Sequence, residues 1–123
     1  TGHLGTPFGL RTLAPGDPRY LGRYEGDGET RDRAYHQGTV WPWLVGAYVA
    51  ATLRTAPDRK AAARSLSQTF APLFSGERTE YGVGGIAEIY DGNAPHRPAG
   101  CITQAWSVGE IIRARTLIQE ALS

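Results

Sequence analysis

One carboxylate in the second half of the chain is distinguished by its neighbours. Glu88 lies between Ala87 and Ile89 in a short apolar run. Glycines bracket this run on both sides, at Gly84, Gly85 and Gly92. A carboxylate framed in this way is expected to be held in place, as a general acid or base must be. A glutamate that caps a turn or pairs with Arg97 would show the same pattern, because ion pairs are commoner than catalytic carboxylates. The residues around Glu88 therefore leave both interpretations open.

Three helices are predicted to position this carboxylate. Apolar residues recur at helical spacing over residues 38–54, and an amphipathic pattern covers residues 58–74. A third, more apolar helix is predicted over residues 103–122. The stretches 1–37 and 75–102 are predicted as long loops, because most of the glycines fall in or beside them.

The connection between the first two helices is short, so these helices are predicted to form an antiparallel hairpin. Both long loops and the first turns of the first and third helices then meet at one end. Two apolar helices on either side of an amphipathic one are typical of a ring of helical hairpins. Three helices cannot close such a ring. The pattern therefore predicts an all-α fold that is either a small open bundle or, as we expect, a piece of something larger.

Three strings of residues carry a resemblance to a known family. They are PFGLR over residues 7–11, YHQGTVWPW over residues 35–43 and GIAEIYDGNAPHRPAGCITQAWSV over residues 85–108. Together and in this order they resemble the C-terminal amylo-α-1,6-glucosidase domain of bacterial and archaeal glycogen debranching enzymes. Members of that family have a similar PFGLR opening, a YHxGTxWPW segment, and a G-x-x-E loop followed by a TQAWS helix. The resemblance covers residues 6–114, which is nearly the whole chain.

The resemblance implies a fold and a division of the chain. The chain is expected to be a single partial domain over residues 1–123, the C-terminal portion of an all-α, (α/α) six-hairpin toroid. Five parts are then assigned: an active-site loop at 1–37, an inner helix at 38–54, an outer helix at 58–74, a loop with the catalytic glutamate at 75–102, and an inner helix at 103–122.

The resemblance also implies an activity, the hydrolysis of α-1,6-glucosidic branch stubs in glycogen or limit dextrins with inversion. Glu88 matches the family's general base, which activates water, and a glutamate with an ordinary pKa of about 4.3 is ionised at neutral pH. Two other readings stay open. One is a related glucosidase or a trehalase-like inverting hydrolase, and the other is a non-catalytic carbohydrate-binding or assembly module.

The general acid of an inverting enzyme lies about 6.5–9.5 Å from the base. The resemblance places it in the upstream half of the domain, so the isolated chain is expected to have little or no activity. Four carboxylates of this chain are weaker candidates, because each is more typical of a solvated loop or a turn: Glu25, Asp27, Asp32 and Asp91.

Sugars have C–H faces that pack on aromatic rings and hydroxyls that bind planar polar groups. Trp41 and Trp106 are predicted to lie in the first turns of the two apolar helices, at the end that carries the loops. Six residues are accordingly predicted to bind substrate: His36, Gln37, Trp41, Arg97, Gln104 and Trp106. A tryptophan at the start of a helix is also common in protein cores, and Trp43 and Tyr48 are predicted to be core residues.

Composition argues against several other functions. The chain has 13 basic and 12 acidic side chains, with a net charge of +1, and lacks the basic clusters that nucleic acids require. The long uncharged run over residues 38–53 contains Pro42 and Gly46 and is too short to span a membrane. Neither a cofactor nor a metal is predicted, because the ligand-type residues match no common zinc spacing: His36, His96, Cys101 and Asp91.

The expected partners and location follow from the same residues. Cys101 is the single cysteine, and no basic and apolar leader opens the chain, which favours the cytoplasm. The expected partners are a glycogen or limit-dextrin oligosaccharide and the upstream part of the same domain. Self-association is also expected, because the inner helices would expose apolar faces without their neighbours.

Overall fold

The computed structural model of the chain describes residues 3–75 and 84–123. The helices of the described residues are α1 (Gly28–Ala34), α2 (Leu44–Thr55), α3 (Arg59–Thr69), α4 (Ala71–Ser75) and α5 (Ala105–Leu122). The strands are β1 (Gly5–Thr6), β2 (Gly9–Arg11), β3 (Val40–Trp41), β4 (Ile89–Tyr90) and β5 (Pro98–Ala99).

The prediction of an all-α fold was wrong. The five strands form one antiparallel sheet in the order β1-β2-β3-β4-β5, so the chain is a mixture of helices and sheet rather than a portion of an all-α toroid. Leu10 pairs with Trp41, and Val40 pairs with Tyr90. Each strand has only two or three residues, which is too short for a period-two pattern to appear in the sequence.

The predicted helical stretches have different bounds in the structure. The helix predicted from residue 38 begins at Leu44, because the chain first passes through β3. The stretch predicted as one helix from 58 to 74 is divided into α3 and α4 at Phe70, whose φ of −101° and ψ of 15° are not helical. Asp58 begins α3 by accepting a hydrogen bond from the main-chain N–H of Ala61 at 2.9 Å.

The prediction of a continuous loop over residues 1–37 was also wrong. This stretch contains β1, β2 and the seven-residue helix α1. The carboxylate of Asp27 caps α1 by accepting from the main-chain N–H of Thr30 at 2.9 Å. Ala34 is the buried apolar residue of α1, so the sequence of this helix has no repeating apolar pattern from which it could be predicted.

The core lies between α2, α3 and α5 and continues to the sheet. Ten buried apolar residues form the part between the helices, nine from these three helices and Phe70 from the break after α3: Val45, Val49, Leu53, Ala63, Leu66, Phe70, Ile111, Ala114, Ile118 and Ala121. At the sheet, the ring of Phe8 stacks on that of Tyr90 with centroids 5.0 Å apart. None of the helices in the described residues has the length and apolar character needed to cross a bilayer.

Candidate active site

The carboxylate of Glu88 is held by two segments of the chain. Glu88 immediately precedes β4 and is buried, with 9% of its surface exposed. Oε2 accepts a hydrogen bond from the main-chain N–H of Cys101 at 2.8 Å, and Oε1 accepts one from the hydroxyl of Tyr35. The main-chain N–H of Glu88 also donates to the carbonyl oxygen of Cys101 at 3.0 Å. Each carboxylate oxygen therefore has a donor whose position is set by the fold.

The alternative in which Glu88 pairs with Arg97 is not what the structure shows. The Nε atom of Arg97 binds Oδ2 of Asp91 at 3.2 Å, and its Nη2 atom binds Oε2 of Glu25 at 2.9 Å. Within residues 3–75 and 84–123, Glu88 forms no ion pair. The partners of this carboxylate are thus neutral hydrogen-bond donors.

The site shifts the pKa values of Glu88 and of two neighbouring groups. Burial opposes ionisation of the Glu88 carboxyl, but hydrogen bonds from Tyr35, Cys101 and Gln104 outweigh burial and lower its pKa below the usual range. Burial and the hydrogen bond to Glu88 raise the pKa of the Tyr35 phenol. The charge of Glu88 likewise raises the pKa of the Cys101 thiol. At neutral pH, Glu88 is therefore an anion beside a protonated phenol and a protonated thiol.

Two glycines allow the segments of the site to approach each other. Gly100 has a φ of +71°, and a β-carbon at this position would overlap Oε2 of Glu88. A β-carbon at Gly92 would overlap the carbonyl oxygen of Gly38. The first contact brings the 100–101 main chain onto the carboxylate. The second brings the loop before β3 against the residues after β4.

An aromatic cluster continues from this carboxylate to the surface. The His36 ring stacks on Trp41 with centroids 5.2 Å apart and an interplanar angle of 9°. Trp106 packs edge-on against Trp41 at 6.2 Å and stacks on Trp43 at 5.3 Å. Trp41 is buried, whereas Trp106 is 49% exposed. Trp43, predicted as a core residue, is therefore only partly buried and supports an indole that faces outward.

The amylo-alpha-1,6-glucosidase family model matches residues 1–113 of the chain. The chain belongs to the amylo-alpha-1,6-glucosidase family. The match confirms the resemblance seen in the three sequence strings, and it covers both the 35–43 segment and the loop with Glu88. The family is associated with glycoside hydrolase activity and with glycogen debranching.

Not all the predicted substrate-binding residues of this amylo-alpha-1,6-glucosidase family member lie together. Gln104 is at the start of α5, where its Oε1 atom accepts a hydrogen bond from the indole N–H of Trp106. His36 and Gln37 line an open cavity of about 410 Å³ that Glu88 does not border. Arg97 lines another, of about 240 Å³, beside Asp91. The structure thus groups Gln104, Trp106 and Trp41 near Glu88, connects His36 through its stacking on Trp41, and places Gln37 and Arg97 elsewhere.

Asp91 is the centre of a network that the sequence did not indicate. It is buried, with 2% of its surface exposed. Its carboxylate accepts from the main-chain N–H of Tyr24 at 2.8 Å and binds Nη1 of Arg23 and Nε of Arg97, each at 3.2 Å. Glu25 completes the network through Arg97. This network joins the loop before α1 to the loop after β4.

Three of the four weaker candidates for the general acid have structural contacts. Asp91 and Glu25 bind arginines, and Asp27 caps α1. Asp32 is exposed on α1 and borders the cavity that His36 lines. No group of three or more histidine, cysteine or acidic side chains suited to a metal occurs within the described residues.

Proposed function

We propose that this chain supplies the general base and part of the glucose-binding surface of an inverting α-1,6-glucosidase. Its substrate is the branch stub of glycogen or of a limit dextrin. One observation carries the proposal: an anionic, buried carboxylate, fixed by neutral donors, lies at the inner end of an aromatic cluster whose outer member is exposed. Membership of the family supports the substrate class.

Glu88 has the properties of a base in this reaction. Its lowered pKa keeps it ionised at neutral and mildly acidic pH, so that it can accept a proton from a water molecule. That water attacks the anomeric carbon, and a separate carboxylic acid protonates the departing glycosidic oxygen. Asp91, Glu25 and Asp27 are engaged in ion pairs or a helix cap, and Asp32 borders a cavity that Glu88 does not line. These contacts support an acid from the upstream part of the same domain.

Trp106 is the group that we propose packs on the sugar. Its indole is half exposed, Trp43 supports one face, and its N–H is bound to Gln104. A ring held in this way loses little freedom on binding the C–H face of a glucose unit. Trp41 supports Trp106 from the buried side of the cluster. Its own N–H is already bound to the carbonyl oxygen of Tyr35 and to the Thr39 hydroxyl, so it is not available to a sugar.

The remaining predicted residues suit a longer substrate. His36 and Gln37 line one open cavity and Arg97 lines another, so we propose that they bind glucose units beyond the one at Glu88. Two exposed apolar residues, Ile102 before α5 and Ile112 within it, are proposed to contact the upstream part of the domain or a second copy of the chain. We place the enzyme in the cytoplasm, where glycogen is degraded and a free thiol such as Cys101 persists.

The deciding experiment measures glucose release from a branched limit dextrin by the longer enzyme that we propose contains this chain. The anomer of the first product is followed by NMR for the wild type, for Glu88→Gln and for Glu120→Gln, which alters an exposed carboxyl on α5. We expect β-glucose from the wild type and from Glu120→Gln. Glu88→Gln should release none while still binding the dextrin.

Each alternative has its own outcome. An unchanged rate of glucose release by Glu88→Gln would show that Glu88 takes no part in the reaction. Release of α-glucose as the first product would contradict inversion. Dextrin binding without hydrolysis by the wild type would indicate a carbohydrate-binding module. Faster hydrolysis of trehalose or maltose than of isomaltose or panose would indicate a related hydrolase with another specificity.

A further inference from the structure

Tyr35 is the side chain that contacts Glu88 from the opposite segment of the site. Its main chain is fixed at the C-terminal end of α1, where its carbonyl oxygen accepts from the Thr39 hydroxyl at 2.6 Å and from Nε1 of Trp41 at 3.1 Å. Thr39 is completely buried, and Trp41 is 4% exposed. The main chain of Tyr35 is therefore fixed by hydrogen bonds from two buried side chains.

The ring of Tyr35 is also restrained. The rings of His36 and Trp41 pack against it, each with centroids 4.8 Å away, and Tyr24 lies at 5.8 Å. Neighbours on several sides leave few rotamers open to the phenol. Its hydroxyl is thus presented to Oε1 of Glu88 by a ring with little freedom to turn away.

Glu88 receives its second donor from another direction. The main-chain N–H of Cys101 binds Oε2, while the Tyr35 hydroxyl binds Oε1. Two donors on the two oxygens define the rotation of the carboxylate about its terminal bond, a torsion that is otherwise broad for glutamate. Without the Tyr35 hydroxyl, the orientation of the carboxylate would be less restrained.

We propose that Tyr35 is a positioning residue, whose hydroxyl holds the Glu88 carboxylate in the orientation from which it accepts a proton from water. The catalytic consequence rests on the proposed function. The proton passes from water to Glu88, and the phenol keeps its own proton throughout. Burial and Glu88 raise the pKa of Tyr35, so the phenol remains a donor over the working pH range.

The first test is independent of hydrolysis. The pKa of Glu88 is measured in this chain by ¹³C NMR of its carboxyl carbon, assigned with Glu88→Gln. Tyr35→Phe keeps the ring and removes only the donor, so the pKa of Glu88 should rise. Tyr24→Phe, which alters a neighbouring ring that contacts Tyr35, is the matched control and should leave the pKa unchanged. An unchanged pKa in Tyr35→Phe would overturn the inference.

A reciprocal measurement covers the case in which Tyr35→Phe folds poorly. The resonances of the Tyr35 ring are followed by NMR from pH 7 to pH 3 in the wild type and in Glu88→Gln, which replaces the anion with a neutral amide. Because the Tyr35 hydroxyl binds Oε1 of Glu88, the ring signals should shift as Glu88 is protonated in the wild type and should not shift in Glu88→Gln. Tyr35 signals that do not respond to the ionisation of Glu88 in the wild type would overturn the inference.

The second test uses hydrolysis of limit dextrin by the longer enzyme. Tyr35→Phe should lower kcat about ten- to a hundredfold, the usual effect of losing a hydrogen bond to a charged group, with KM changed less than about twofold. The acidic limb of the pH profile should move to higher pH. A rise in KM with an unmoved acidic limb would overturn the positioning role. Wild-type activity that does not depend on Glu88 would instead overturn the proposed function, and the NMR titration would still decide whether Tyr35 controls Glu88.

Discussion

Val40 of β3 lies directly opposite Tyr90 of β4 in the antiparallel sheet. This pairing brings the 35–43 segment alongside the 85–91 segment. As a result, the hydroxyl of Tyr35 reaches the carboxylate of Glu88, a residue 53 positions later in the chain. The register between two very short strands thus assembles the candidate active site.

The stability of the chain should depend on pH through Glu88. Because the folded-state pKa of Glu88 is lowered, its ionised form stabilises the fold at pH values above the pKa that this carboxyl has in the unfolded chain. That contribution is lost as pH falls through the lower, folded-state pKa. The free energy of unfolding, measured in urea from pH 7 to pH 3, should therefore fall more steeply for the wild type than for Glu88→Gln. Glu120→Gln should follow the wild type, and parallel curves for all three proteins would contradict the prediction.

Gly100→Ala should disturb both stability and the Glu88 carboxylate. The left-handed φ of +71° disfavours any side chain by about 1–2 kcal/mol, and the added β-carbon would also displace Oε2 of Glu88. Gly84→Ala is the matched control: its φ is +70°, and no described atom lies within 4 Å of the added carbon. Urea unfolding should show a loss at least about 1 kcal/mol greater for Gly100→Ala. Equal losses would mean that the loop moves aside without cost.

Trp106→Ala should weaken oligosaccharide binding more than it weakens the fold. Loss of an aromatic face that stacks on sugar is expected to raise Kd about tenfold, while the indole is already 49% exposed in the free protein. Calorimetric titration with panose and a thermal melt would be compared for the same variant. Ile112→Ala, at an exposed position of the same helix, should leave binding unchanged. A lower Tm with unaltered Kd would make Trp106 a packing residue.

Asp91→Asn should destabilise the fold by about 1–3 kcal/mol, the range expected for hydrogen bonds that lose a charged partner. The substitution replaces a buried anion with a neutral amide, while Arg23 and Arg97 are exposed enough to be solvated when they lose it. Asp17→Asn breaks an exposed pair with Arg19 and should have no measurable effect. Urea unfolding at pH 7 provides the comparison. A result for Asp91→Asn as small as that for Asp17→Asn would show that the two arginines find other partners.

The sequence alone indicated much of what is local. Helical periodicity located the stretches that contain α2, α3 and α5, because each buries an apolar face that repeats along the chain. The three sequence strings predicted the family, which the family model confirms. The apolar residues and glycines around Glu88 predicted a carboxylate that is held in place. In the structure this carboxylate is buried and is held by hydrogen bonds from Tyr35 and Cys101.

Only the tertiary structure decided the sheet and the partners of the site. Strands of two or three residues have no periodicity, and what stabilises them is pairing with segments far along the chain. The Arg23 to Asp91 ion pair spans 68 positions, and the Tyr35 to Glu88 hydrogen bond spans 53. Neither contact leaves a local pattern in the sequence. The neighbours of a tyrosine or an aspartate in a loop do not show which distant residue it will contact once the chain is folded. Helices could therefore be predicted from neighbours in sequence, whereas the site depends on neighbours in space.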